Sequence, residues 1–86
     1  MIVRASVISP ERMLFDGSVS SVVAPAFDGE IGILSRHAPL VTLLGRGVLR
    51  LDGVEGGTRR FEVDGGFLQV ADDIVRVVTE SARVVT

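Results

Sequence analysis

The side chains that could do chemistry in this sequence are few and scattered. His37 is the only histidine. As a general base it would need a serine beside it and a carboxylate to orient it. Ser35 and Ser81 are available, but no Gly-x-Ser-x-Gly elbow exists, and 86 residues can hardly enclose a cleft. As a metal ligand it would have no second His or Cys to work with, so any site would have to be built from carboxylates. Its position just before Ala38-Pro39 fits a loop histidine that bonds the backbone or lines an interface. Asp28 and Glu30 flank Gly29 in a turn, a spacing that could suggest a glycosidase pair. A tight turn builds no cleft around such a pair, however, and a solvated hairpin tip is the simpler reading. Asp72-Asp73 reads the same way. Gly29-Glu30-Ile31-Gly32 lacks the spacing and the following lysine of a phosphate loop.

Composition narrows the function further. All nine basic residues are Arg, so neither a phosphate-loop lysine nor a Schiff base is available. The absence of Cys removes thiolate chemistry and disulfides, and permits a reducing compartment. A net charge of −2 lacks the basic excess that nucleic-acid binding requires. No metal, nucleotide or other cofactor is expected, and the chain is not expected to be an enzyme.

The elements that must position these residues are strands. Length alone allows one domain, residues 1–86, which buries about 60–65% of its unfolded surface. Turn-forming pairs punctuate the chain: Ser9-Pro10, Asp16-Gly17, Asp28-Gly29, Asp52-Gly53, Asp64-Gly65-Gly66 and Asp72-Asp73. Between them the composition favours strands, with fifteen Val beside Ile, Thr and Phe. Alternation is clearest where Val3, Ala5 and Val7 interleave with Arg4 and Ser6, where Phe61 and Val63 interleave with Arg60, Glu62 and Asp64, and where Val75 and Val77 flank Arg76. No long segment holds a helical period. The expected fold is therefore all-β, a small β-sandwich of about ten short strands, with a loop near residues 35–39. A mean hydropathy of +0.45 is high for so small a domain, and implies a dense core or apolar surface kept for a partner. The run Pro39-Leu40-Val41-Thr42-Leu43-Leu44 reads first as a strand buried on both faces, and otherwise as an edge that holds leucines out for another protein. No apolar run approaches the roughly 20 residues that cross a bilayer as a helix, so no direct membrane insertion is expected.

Three motifs in order carry a family resemblance. Gly29-Glu30-Ile31-Gly32-Ile33-Leu34-Ser35-Arg36-His37-Ala38-Pro39-Leu40 resembles the signature loop of the epsilon subunit of rotary proton-translocating ATP synthases. Ile8-Ser9-Pro10-Glu11 with Leu14-Phe15-Asp16-Gly17 precedes it, and Gly65-Gly66-Phe67-Leu68-Gln69-Val70 follows. The resemblance implies a non-catalytic rotor subunit at the foot of the central stalk. It would bind the gamma subunit and the c ring, couple proton flow to ATP synthesis, and lie peripherally on the cytoplasmic face of a bacterial plasma membrane. By position, Asp28, Gly29, Glu30 and Ile31 match the loop that faces the c ring. Ser9, His37, Leu40 and Thr42 match the side that faces gamma, with Leu43 and Leu44 adding apolar area. Two departures stand out: family members commonly carry Pro where Ser35 stands, and many continue past the sandwich into a helical hairpin that restrains ATP hydrolysis. Ending at Thr86, this sequence implies a short form without that hairpin, for which no ATP binding is expected. A free-standing module for a small ligand or carbohydrate is the competing class, and the lack of Trp and Tyr stacking platforms counts against it.

Overall fold

The computed structural model describes residues 2–55 and 57–85. Among the described residues eight strands form in chain order: β1 (Val3–Ile8), β2 (Met13–Val19), β3 (Ser21–Ala26), β4 (Gly29–Ile33), β5 (Leu40–Leu43), β6 (Arg46–Val54), β7 (Gly57–Ala71) and β8 (Ile74–Val85). Hydrogen bonding follows the path β2-β1-β8-β7-β6-β3-β4, with β5 paired to β7 off that path. Every pairing is antiparallel except β1 with β8, which is parallel.

The two long strands fold this path into two layers. From Gly57 to Asp64, β7 pairs with β6; from Phe67 to Val70 it pairs with β5 instead. Its partner β8 follows it through the change, pairing first with Ala71 and last with Arg60. One layer is therefore β2-β1-β8-β7-β5, and the other is β4-β3-β6-β7-β8. Counted by layer, the eight continuous strands present ten segments, in line with the expected sandwich.

Burial records the same crossing. Phe61 and Val63 point inward along the first half of β7, whereas Leu68 and Val70 do so along the second. Odd positions give way to even ones at Gly65-Gly66, which keeps the inward face inward after the strand changes layer. Both glycines take positive φ, +76° and +104°, and a Cβ on Gly66 would collide with the Val78 carbonyl. Across the ladder, the buried Thr79 hydroxyl lies 3.0 Å from the Gly65 carbonyl and 2.9 Å from that of Ser81, so the bend satisfies its own polar groups.

The alternations read from the sequence hold. Val3, Ala5, Val7, Val75 and Val77 are all fully buried, and their intervening neighbours are not. The loop near 35–39 also stands where expected, between β4 and β5. Three expected turns are corrected. Asp16-Gly17 lies inside β2, opposite Ser6 and Ala5, where the missing side chain of Gly17 leaves room for the Phe15 ring. Asp52-Gly53 is an irregularity within β6, with the turn following at Glu55. Asp64-Gly65-Gly66 is the bend in β7 rather than a break. Asp72-Asp73 is a two-residue turn in which both residues take positive φ between the paired Ala71 and Ile74, the dihedral pattern of a type I′ hairpin.

Candidate functional site

The run 39–44 is not a strand buried on both faces. β5 pairs with β7 alone and forms the edge of its layer. Its register settles where the side chains point. Leu40 and Thr42 stand opposite the buried Val70 and Leu68, so they face inward and remain half-buried because the edge is open. Val41 and Leu43 stand opposite Gln69 and Phe67 and face out, 67% and 62% exposed. Leu44, just past the strand, is buried.

Followed across the layer, that outward face carries an unbroken apolar row. Leu43 pairs with Phe67, Phe67 with Val78, Val78 with Ile8, and Ile8 with Met13, one residue from each strand of the layer. At about 4.8 Å between strands, the row is about 19 Å long. Phe27, 66% exposed, extends it, because its N–H donates to the Leu43 carbonyl at 3.0 Å. Pro10, Phe27, Leu43, Phe67 and Val78 line a shallow groove of about 560 Å³, with Glu80 at its rim.

The outer face of the other layer is of opposite character. Its register partners are Arg46 with Asp64, Val48 with Glu62 and Arg83, and Arg50 with Arg60. Charged pairs cross it, among them Arg83 with Glu62 at 2.8 Å and Arg50 with Asp52 at 3.1 Å. Partial desolvation opposes ionisation of Asp52, but hydrogen bonds from Thr58, Arg50 and Ser21, with the Arg50 charge, outweigh it and hold the carboxyl below its usual range. One outer face is crossed by charges and the other by the apolar row.

The residues singled out from the sequence fall in three places. Asp28 and Gly29 sit at the tip of the β3–β4 hairpin, and Glu30 projects beside them; all three are exposed, whereas Ile31 turns inward opposite Ala24 and packs against the core. The tip lies next to the groove, since Ala26 bridges Leu44 and the Gly45 N–H donates to the Pro25 carbonyl at 2.8 Å. Ser9 is largely buried: its N–H donates to the Arg12 carbonyl at 2.9 Å and its hydroxyl donates to the same oxygen at 3.2 Å. It thereby holds the turn that presents Pro10 to the groove. His37 lies toward the far end of the layer, in the loop that the Arg36 N–H ties to the Asp73 carboxylate. Its Nδ1–H donates to the Ala38 carbonyl at 2.8 Å. Ser9 and His37 are therefore not neighbours. Among the described residues no three of His, Asp and Glu gather as a metal-binding cluster, and no helix is long and apolar enough to cross a membrane.

Nothing in the sequence marks Phe27, Phe67, Val78 and Met13 together as surface residues. Each belongs to a different strand or turn, and only the register aligns them. An aromatic at a turn, Phe27 before Asp28-Gly29, was the one local signal.

Comparisons with known proteins agree with this architecture. The chain is 49% identical over 82 residues to the ATP synthase epsilon chain of Rhodopirellula baltica and 43% identical over 77 residues to that of Syntrophomonas wolfei. The alignments take in 95% and 90% of this chain but 63% and 56% of those relatives, so the chain spans about three-fifths of their length. Its fold is similar to a chain in the cryo-EM structure of the Euglena gracilis mitochondrial ATP synthase OSCP/F1/c-ring, with a TM-score of 0.88 at 22% identity over 96% of this chain and 53% of that one. A chain of the Tetrahymena thermophila mitochondrial ATP synthase central stalk and c ring matches with a TM-score of 0.75 at 15% identity, over 94% of this chain and 65% of that one. The profile of the family described as "ATP synthase, Delta/Epsilon chain, beta-sandwich domain" matches residues 2–85. With its two bent strands, its hairpin tip and its profile match all in agreement, the chain belongs to that family of ATP synthase delta/epsilon β-sandwich domains.

Proposed function

We propose that this chain is the β-sandwich part of a non-catalytic rotor subunit, which binds gamma through the β2-β1-β8-β7-β5 face and meets the c ring with the β3–β4 hairpin tip. The observation that carries the reading is the apolar row Leu43-Phe67-Val78-Ile8-Met13, set against a charged opposite face. A contact that must last through rotation requires apolar area, and this face is where the chain has it. Ser9, His37, Leu40 and Thr42 border or underlie that face, with Ser9 supporting Pro10 at the groove. Of Asp28, Gly29, Glu30 and Ile31, the first three present the exposed tip and Ile31 anchors it to the core, leaving Glu30 free to meet a ring arginine. An exposed pair of that kind contributes about 0–1 kcal/mol, so it orients more than it holds. In this reading the chain passes torque between proton flow and distant catalytic sites, binds no ATP, and lies at the cytoplasmic side of a bacterial membrane held only by its partners.

Co-purification with gamma and the c ring tests the reading. Leu43→Glu and Phe67→Glu place a charge in the row without touching the core, and each is expected to lower recovery of gamma at least tenfold while leaving the urea midpoint nearly unchanged. Full recovery of gamma with both variants would move the interface elsewhere.

A further inference from the structure

The apolar row runs between unlike charges. Two residues along each strand toward the Asp72-Asp73 turn, on the same outward face, the register places Gln69, Arg76 and Ser6 side by side. That line lies about 7 Å from the apolar row. Arg76 is exposed and makes no hydrogen bond or ion pair among the described residues, the nearby Asp72, which lines the same shallow pocket, included. Its nearest like charge on this face, Arg4, is already matched by Asp16 at 3.2 Å. On the other side of the row, Glu80 stands at the rim of the groove beside Val78 and Gly65, exposed and equally unpartnered among the described residues.

An apolar row alone accepts a partner in either direction. Covering it changes that, because a partner broad enough to shield the row also takes water from Arg76 and Glu80. A desolvated charge with no counter-charge is costly, so the partner must bring one for each. We infer that the gamma surface seated here carries an apolar ridge with a carboxylate on the flank that meets Arg76 and a basic side chain on the flank that meets Glu80. The juxtaposition of Arg76 and Glu80 across the row therefore fixes which way round gamma docks. This rests on the gamma-binding reading above and adds the chemistry of the partner surface.

The test is the association rate of the purified chain with gamma of the same organism, measured across a salt series for the parent, Arg76→Glu, Arg76→Gln and Glu80→Lys. Opposed charges steer encounter, so Arg76→Glu and Glu80→Lys are each expected to slow association about tenfold at low salt, with Arg76→Gln in between. The gap should close as salt is raised. Both positions are exposed, and urea midpoints verify that the variants fold; should one reversal fail to fold, Arg76→Gln and the other reversal still decide the matter. Association at the parental rate or faster in both reversals, with Phe67→Glu still abolishing it, overturns the charge assignment and leaves the docking face intact. A parent chain that does not bind gamma at any salt overturns the docking reading itself.

Discussion

Asp52 concentrates the polar energetics of the charged face in one carboxylate, which Thr58, Arg50 and Ser21 hold in its ionised form. Because its pKa is depressed on folding, the stability it contributes is present above the ordinary carboxylate range and is lost as pH falls through the lower folded value. Asp52→Asn is therefore expected to lower the urea midpoint at neutral pH, with parent and variant converging in strong acid. Equal midpoints at neutral pH would show that the network contributes nothing. Gly66 is a sharper case. Its φ of +104° suits no L side chain, and the Val78 carbonyl occupies the space a Cβ would fill. Gly66→Ala is expected to cost about 3 kcal/mol or more in equilibrium unfolding.

At the scale of elements, the bend in β7 and β8 decides the fold, and it was only half legible. Alternation in Val3–Val7, in Arg60–Asp64 and around Arg76 is a local property, read correctly because each residue's neighbours determine it. Where a strand changes partner is not local. Gly65-Gly66 looks like any turn until the register shows Asp64 opposite Arg46 and Phe67 opposite Leu43. The edge position of β5 was hidden for the same reason: Pro39–Leu44 has the composition of a strand buried on both faces, and only the register shows that Val41 and Leu43 point out of the layer. Likewise Asp16-Gly17 carries a hairpin signal, but its glycine makes room for the Phe15 ring. The hydroxyl of Thr79 closes the polar account of the bend from the β8 side. Thr79→Val keeps the shape and leaves the Gly65 carbonyl and Ser81 N–H short of a partner, for an expected loss of about 1–3 kcal/mol by chemical denaturation.

For the molecule as a whole, the unequal faces account for the high hydropathy that the sequence showed. The core takes most of the apolar residues; among those left exposed, Met13, Phe27, Val41, Leu43 and Phe67 stand on or beside one layer, while Val48 stands on the charged face. Their grouping is not legible in the sequence: the candidate residues lie at the hairpin tip and in segments beside the row, and only the strand register aligns the row itself. Since the groove is apolar and rimmed by a carboxylate, it offers nothing to a triphosphate. Added ATP is expected to leave the thermal midpoint unmoved, whereas a ligand bound to the native state would raise it by mass action.

Two strands that pass unbroken through both layers also alter how the domain bears load. In a sandwich made of two separate sheets, side-chain packing and the connecting loops resist sliding of one over the other. Here the backbone itself spans that plane twice, side by side and cross-linked by the β7–β8 ladder on both sides of the bend. A displacement of one layer against the other is therefore opposed by two adjacent backbones as well as by the side chains packed between the layers.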